Sequence, residues 1–438
     1  MSGGSFNTAK ASVSRTDSIG GWNYNIFAQR EKSDGNFTFR NDNGTPIFTT
    51  WDDKDEKRKN AQFDRYNITT NASKEYYNTL ITILNDFNYR ENGIPGPGSN
   101  QTSKVKREYI RNTTSVGTST KSMYFENLNL DTRTFYTGAR DHLFDPLSEF
   151  SYGTPNSKAD IQQYGFHLLP TIYLLKYNQI FRALIAKETE TFKRDRRNSF
   201  DMLLDNSTRK FRNHYTLQLS DEVRLFSKNL ILTPSVILEN YIDRFNDLNN
   251  NATSVLQNNE TSKNYSFTNY RIGFLTGKDT LKFSGLQIKG NLSSENRIPT
   301  FMELFGERGA ILGNTSLKPE RSISNDIGIL LNTKKGLFNV SSSVAIFSRK
   351  ITNMILFVPN SQFALKPENV DSASIKGAEF GFKTIYNNMI KFDSNYTYQK
   401  AINTSDISYL KGKYLPLRPK IRMVCERGLY SQKFRIRL

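Results

Sequence analysis

Polar and apolar residues alternate along most of this chain with a period of two. In Tyr215–Leu225 the apolar side chains recur at every second position apart from 221, and polar or charged side chains fill the positions between them. Ile390–Gln399 shows the same alternation, with Ile, Phe and Tyr on one set of positions. A β-strand places such a set on one face, whereas a helix would spread it around its surface. The pattern therefore predicts long, half-exposed β-strands.

The breaks between these runs alternate between short and long. Gly117–Thr120 and Phe226–Asn229 are short and typical of tight turns, whereas Thr189–Arg209, Ser293–Arg321 and Ile351–Ala373 are long polar segments. Counting the runs gives about 18 strands, many of about 12–15 residues, which exceeds the roughly 5–6 residues of a globular strand. Short turns at one end and long loops at the other are typical of a transmembrane antiparallel β-barrel.

The amino-acid composition agrees with a membrane barrel. Hydrophobic residues make up only 37% of the 438 residues, while aromatic residues reach 13%. No run approaches the roughly 18 apolar residues that a membrane helix needs, but a barrel strand needs only about 9–11 residues, half of them polar. No composition shift or linker divides the chain, so we predict one all-β domain over residues 1–438.

The formal net charge of +18 would suit a nucleic-acid ligand. Lys and Arg are, however, spread along the whole chain and are not gathered into a stripe or an arm. We therefore predict no nucleic-acid binding. Cations distributed in this way suit anionic lipid head groups or anionic ligands.

Little in the sequence points to catalysis or to a resident metal or cofactor. Cys425 is the single cysteine, and His142, His167 and His214 stand far apart without the spacing of a zinc site. No Gly-x-Ser-x-Gly motif is present. We predict no catalytic residue, no metal site and no cofactor. A barrel enzyme, such as an outer-membrane phospholipase or protease, would need clustered Ser, His and acidic residues, which the sequence does not assemble.

The segment Asn296–Gly328 carries the most informative motif of the chain. Its informative residues are Arg297, Pro299, Thr300, Glu303, Leu304, Gly313, Asn314, Leu317, Lys318, Pro319, Glu320, Ser322, Asp326 and Gly328. In this order they resemble the TonB-dependent outer-membrane receptors, whose barrels carry Arg-x-Pro-Ser/Thr-x-x-Glu-Leu and then Gly-Asn-x-x-Leu-Lys-Pro-Glu-x-Ser. Further along, Gly377 and Glu379 resemble the Gly-x-Glu at which the family's chain re-enters the barrel.

The resemblance implies a barrel of about 22 strands with a separate N-terminal plug in its lumen. It implies an outer-membrane receptor that takes up a scarce nutrient, a ferric siderophore in the first place, with cobalamin or haem as alternatives, using energy from the TonB complex. A porin-like barrel would show the same alternation without this motif. The resemblance further implies a monomer in contact with outer-membrane lipid, a small-molecule ligand and no enzymatic activity.

The two ends of the chain depart from the family pattern. Residues 1–20 lack the apolar core of a signal peptide, and no plug or TonB box precedes Ser5. We expect a partial barrel domain that lacks the plug, the first strand and the last few strands, from an internal start in a longer gene or from a truncated gene. Such a fragment would not transport by itself.

The matched residues are predicted to have a structural role in an extracellular loop. Glu303 and Glu320 are expected to pair with nearby cations, and the candidates are Arg297, Arg308 and Arg321. The predicted structural set is Arg297, Pro299, Glu303, Gly313, Asn314, Leu317, Pro319, Glu320, Gly328, Gly377 and Glu379. The sequence identifies no residue that contacts a ligand.

Overall fold

The computed structural model describes residues 1–43, 53–149, 155–204, 208–227, 229–245, 262–278, 285–306, 311–359, 365–406, 408, 411–416, 418–430 and 435–437. These residues form one α-helix, α1 (Phe301–Phe305), a single 3₁₀ turn (Leu175–Tyr177) and 21 strands. Among the described residues no helix is long and apolar enough to cross a membrane. The strands are β1 (Ser2–Gly4), β2 (Thr8–Ile19), β3 (Trp22–Ser33), β4 (Thr38–Asn41), β5 (Lys54–Lys57), β6 (Phe63–Tyr76), β7 (Thr79–Gly93), β8 (Lys106–Thr120), β9 (Leu128–Phe144), β10 (Asn156–Leu174), β11 (Gln179–Arg197), β12 (Lys210–Leu225), β13 (Leu230–Phe245), β14 (Ser262–Lys278), β15 (Gly285–Arg297), β16 (Glu320–Lys335), β17 (Phe338–Pro359), β18 (Leu365–Tyr386), β19 (Ile390–Asn403), β20 (Ile421–Tyr430) and β21 (Arg435–Arg437).

Nineteen of these strands form one antiparallel sheet, and β4 and β5 form a separate hairpin. Within the large sheet each strand pairs with its neighbours in chain order, so the topology is a simple meander in which β3 pairs with β6 across the small hairpin. The longest strands, β17 and β18, have 22 residues each. The all-β antiparallel prediction is confirmed.

One face of the sheet is apolar and exposed. On β12 and β13, Leu217 and Leu219 lie opposite Leu238 and Val236, and all four are exposed. The same face continues through Ile68, Ile83, Val116, Tyr136, Tyr164, Phe166, Ile185, Tyr215, Tyr270, Ile272, Leu292, Ile323, Ile327, Ile329, Val344, Ile346, Phe380, Tyr396 and Tyr398. Aqueous surfaces rarely expose so many large apolar side chains, whereas the lipid-facing wall of a membrane barrel requires them. This face is termed the apolar band.

The opposite face is largely polar and curves around a loop. Phe192 of β11 and Ile355 of β17 belong to one buried cluster, which also contains Phe301, Leu304 and Leu317 of the loop between β15 and β16. In a flat sheet six strand spacings of about 4.8 Å would separate β11 from β17 by roughly 29 Å. The sheet therefore curves, with the apolar band outside and this cluster inside.

Several strands extend beyond the limits that the alternation predicts. Gly117–Thr120 belongs to β8 and is not a turn, β11 runs on to Arg197, and β17 and β18 occupy most of Ile351–Ala373. Beyond the apolar band both faces carry polar side chains, so the alternation stops. The backbone N–H and C=O groups still need partners, and cross-strand pairing continues to supply them. These predicted limits were wrong for that reason.

Candidate functional site

The loop between β15 and β16 folds onto the inner face of the sheet. Its described residues, 298–306 and 311–319, are termed the inner loop. At the start of α1 the Glu303 N–H donates to Thr300 Oγ1 at 3.2 Å, and the Thr300 N–H donates to Glu303 Oε2 at 2.7 Å. This reciprocal capping box needs Thr and Glu three residues apart, which is the spacing within the motif. Gly306 ends the helix with a φ of 70°, a left-handed value that favours glycine.

A buried ion pair on the inner wall supports the inner loop. Arg212 of β12 donates from Nε and Nη2 to the two carboxylate oxygens of Asp243 on β13, at 2.7 Å each. The side chains are only 7% and 0% exposed. The same Nη2 donates to the Pro299 carbonyl at 2.9 Å, and the guanidinium lies 4.6 Å from the ring centroid of Phe301. The pair therefore fixes both the backbone and an aromatic side chain of the loop.

Aromatic packing adds contacts with β11 and β13, the two strands that flank β12. The Phe301 ring stacks on Phe192 of β11, with ring centroids 5.8 Å apart, and Phe305 meets Phe245 of β13 edge-on at 5.1 Å. The guanidinium of Arg194 donates to the carbonyl of Phe305. Aromatic pairs of this kind contribute about 0.5–1.5 kcal/mol beyond their buried area. Helix α1 is therefore held against the wall by both apolar and polar contacts.

Arg297, the last residue of β15, joins both ends of the inner loop. Its Nε donates to Glu320 Oε2 at 2.7 Å, and Nη1 donates to Glu303 Oε2 at 3.0 Å. Glu320 Oε1 in turn accepts from the backbone N–H of Ile355 on β17 at 2.6 Å. Arg297 lies beyond the apolar band, and its carboxylate partners, Glu320 first, raise its pKa above the ordinary value. Of the three candidate cations, Arg297 makes both ion pairs; Arg308 lies outside the described residues.

The second half of the inner loop is bound to β18. The Asn314 side chain donates to the Pro367 carbonyl at 2.9 Å, and the Lys318 N–H donates to Asn369 Oδ1 at 2.8 Å. Leu317 is buried in the core cluster. Gly313 packs so tightly that a Cβ there would lie 2.4 Å from the carbonyl carbon of Phe305. These contacts explain why the motif requires a small residue, an amide and an apolar side chain at these positions.

Five residues of the predicted set lie in strands, not in the loop: Arg297 ends β15, Glu320 begins β16, and three glycine or glutamate positions lie further inside strands. Gly328 is within β16, and Gly377 and Glu379 are within β18. A Cβ at Gly377 would lie 2.3 Å from the Tyr398 carbonyl oxygen and 2.5 Å from the Phe347 ring. Close approach of neighbouring strands and a bulky ring thus accounts for this glycine. Pro319 directly precedes β16, where its missing N–H interrupts no ladder.

A row of polar side chains on the inner wall brings together two histidines that lie far apart in the sequence. His167 Nε2 lies 2.7 Å from Glu188 Oε1, and the other oxygen of Glu188 lies 3.8 Å from His214 Nδ1. His214 Nε2 lies 3.1 Å from Glu239 Oε1, which also accepts the Tyr241 hydroxyl at 2.9 Å. These residues are on β10, β11, β12 and β13 and face the same side. Only the register of four strands brings them together.

The inner wall thus carries polar and aromatic side chains that contact one another. Among the residues that the structure describes, no group of three or more His, Cys, Asp or Glu side chains could hold a metal ion. The wall and the inner loop together form a polar surface that a soluble solute could contact. Residues of the predicted set, such as Arg297, Asn314 and Glu320, make their described contacts with other residues of the protein.

Comparison with protein families finds one match over most of the chain. A family described as "TonB dependent receptor-like, beta-barrel" matches residues 5–431. No curated protein sequence matches the chain.

Solved structures of low sequence identity share the fold. The copper transporter OprC superposes with a TM-score of 0.73 at 14% identity, covering 98% of this chain and 63% of OprC. The FrpB iron transporter from Neisseria meningitidis (F3-3 variant) gives 0.68 at 12% identity, covering 98% and 65%. The siderophore receptor PirA from Pseudomonas aeruginosa gives 0.62 at 11% identity, covering 96% and 65%. The chain therefore spans less than two thirds of the length of each of these proteins.

Proposed function

This chain belongs to the TonB-dependent receptors through their β-barrel domain, and we propose that it forms the wall of an outer-membrane receptor for a scarce nutrient, with a ferric siderophore as first candidate. Its family and its structural neighbours are receptors and transporters, not enzymes. The apolar band carries the proposal, because it covers the outside of a curved 19-stranded sheet whose inside is polar. A membrane barrel requires this arrangement, and a soluble sheet would bury the band.

The solute class follows from the family and from the inner wall. FrpB and PirA are named as iron and siderophore proteins, and these names support an iron chelate for this chain. The inner wall combines Arg, Tyr and His side chains, which suit an anionic or planar chelate. Uptake would draw energy from the TonB complex, and the barrel would contact outer-membrane lipid as a monomer. Cobalamin, haem or a porin-like role are the alternatives, and copper is added because OprC is named a copper transporter.

The inner loop has a structural role in this proposal. The loop-bearing ends of the strands would face outward from the cell, with the short turns on the periplasmic side, as in known outer-membrane barrels. Arg297, Glu303 and Glu320 would keep the loop in its folded shape. A solute would then bind to a surface that is already folded.

Deletion of the gene in its host tests the proposed function. Under iron starvation the deletion strain should take up at least one radiolabelled ferric siderophore at the background rate, and the intact gene should restore uptake. Haem, cobalamin and copper uptake are measured in parallel. Loss of one of these with normal siderophore uptake would transfer the proposal to that solute. Unchanged uptake of all four would contradict a receptor role.

A further inference from the structure

Four basic side chains form a row on the outer face of β16–β19, just beyond the apolar band. They are Arg321, Lys350, Lys376 and Lys400, one on each strand, and all four are exposed. Lys376 and Lys400 are direct cross-strand partners. Lys350 lies opposite Ile323 of the apolar band, and Lys400 follows Tyr398 of the band by two positions. The row is termed the basic row.

The four side chains share the orientation of the apolar band. Successive residues of a strand point to opposite faces, so Arg321 lies on the face of Ile323, and Lys376 lies on the face of Phe380. The intervening Ser322 and Arg349 hydrogen-bond to each other on the opposite, inner face. The basic row is therefore on the outside of the sheet, at the strand ends that carry the long loops.

No described carboxylate forms an ion pair with any member of the basic row. Like charges directly opposite each other across two strands are destabilising, as Lys376 and Lys400 are here. Two further cations on the adjoining strands add to this repulsion. An anion bound from outside would remove it.

The outer face of β3–β10 shows the contrasting arrangement. There Arg30 pairs with Asp64 at 2.7 Å, Lys106 with Glu91 at 3.4 Å, and Arg140 with Asp160 at 2.7 Å. At these three positions the strands supply a carboxylate to a cation beyond the apolar band. Lys32 and Lys158 on this face have no ion pair among the described residues either, so what distinguishes β16–β19 is the run of four such cations on four adjoining strands.

We propose that the basic row of β16–β19 binds the phosphate groups of a lipid head group, with the acyl chains lying on the apolar band below. This rests on the proposed membrane location. A soluble phosphate would not contact the apolar side chains next to the basic row. A phosphorylated lipid would contact the basic row with its head group and the apolar band with its acyl chains, at Ile323, Ile346, Phe380 and Tyr398. Long Lys and Arg side chains can lay their apolar stems along the band and hold their charges at head-group level.

The test uses the full chain folded into phosphatidylcholine nanodiscs that contain a small fraction of phosphatidic acid, with bound lipid counted by native mass spectrometry. One variant combines K350Q, K376Q and K400Q. The matched control combines R30Q, K106Q and R140Q, which removes as many cations from β3–β10. We expect the first variant to lose at least about tenfold in preference for phosphatidic acid, since each cation near anionic lipid contributes about fivefold. The control should change it by less than about twofold, because these cations already have carboxylate partners.

Circular dichroism and protease resistance of the same samples separate two kinds of failure. A wild-type chain that does not fold into the bilayer would overturn the proposed membrane location, and the lipid site with it. If all three proteins fold and both variants lose the same preference for phosphatidic acid, net charge alone would explain the binding. That result would overturn the proposed lipid site. A wild-type protein without preference for phosphatidic acid over phosphatidylcholine would overturn it as well. R321Q alone, with an expected loss of about fivefold, provides a second measurement if the triple variant does not fold.

Discussion

Two ion pairs of this protein have the same chemistry and opposite surroundings. Arg212 and Asp243 lie on the inner wall, 7% and 0% exposed, and support the inner loop through the Pro299 carbonyl. Arg30 and Asp64 lie on the outer wall, 52% and 32% exposed. Removing one member of a buried pair leaves an uncompensated charge and costs about 3–5 kcal/mol, whereas an exposed pair contributes about 0–1 kcal/mol. The inner ion pair is therefore expected to stabilise the loop, while either member of the outer pair can be replaced with little loss of stability.

The largest effect is expected from R212A. The variant leaves the Asp243 carboxylate buried without its bidentate partner and releases the Pro299 carbonyl. We expect the free energy of unfolding to fall by about 3–5 kcal/mol, measured by urea denaturation of the detergent-folded protein. Limited proteolysis should then cleave within the inner loop.

A double variant, R212M with D243L, is the control for buried charge. Replacing both partners by apolar side chains of similar volume is often neutral, so most of the lost stability should return. If the double variant is as unstable as R212A, contacts of Arg212 with the loop, and not the unpaired carboxylate, would account for the loss.

A smaller effect is expected from E320A. This carboxylate accepts from Arg297 and from the Ile355 N–H, and it connects the inner loop to β17. Hydrogen bonds to charged groups contribute about 1.5–3 kcal/mol each, so assembly of a full-length receptor carrying E320A should be impaired. Quantitative surface labelling measures the amount of receptor, and ligand titration of the assembled fraction should give unchanged affinity. Normal surface levels with lost binding would show that Glu320 acts on the ligand.

Packing in the inner loop can be tested without changing charge. In G313A the new methyl group would lie 2.4 Å from the Phe305 carbonyl carbon, so the two halves of the loop must move apart. Overpacking of this kind costs about 1–3 kcal/mol in urea denaturation. G4A is the matched control, because its Cβ would meet the nearest atom, Thr8 Cβ, at 3.5 Å. Equal stability of the two variants would mean that the loop adjusts freely.

The sequence predicted the strands well because lipid contact forces apolar side chains onto alternate positions. Examples are the exposed apolar side chains of Leu217, Leu219, Val236 and Leu238. The strand ends were not predicted correctly. Residues such as Lys193 and Arg197 of β11 pair through the backbone beyond the apolar band, where apolar and polar side chains need not alternate. A two-residue period measures the thickness of the band and not the length of the strand.

The inner loop itself was found through its motif, but its partners were not. Arg212 and Asp243 precede the loop by more than fifty residues and lie in strands with ordinary alternation. Only the curvature of the sheet brings them to Pro299 and Phe301. Their one signal in the sequence is position: each is a charged residue on the polar face, close to a strand end. Many residues share that signal, so it could not single them out.

The smallest effect is expected at Arg30 and Asp64, the exposed half of the comparison. R30A should lower the free energy of unfolding by no more than about 1 kcal/mol, because solvent screens both charges. D64A and the double variant complete a mutant cycle measured by the same urea denaturation. A coupling energy above about 2 kcal/mol would mean that the outer wall holds its charges as tightly as the inner wall does. The ion pairs on β3–β10 would then contribute to stability although they are exposed. Burial would no longer explain why some ion pairs of this protein stabilise it more than others.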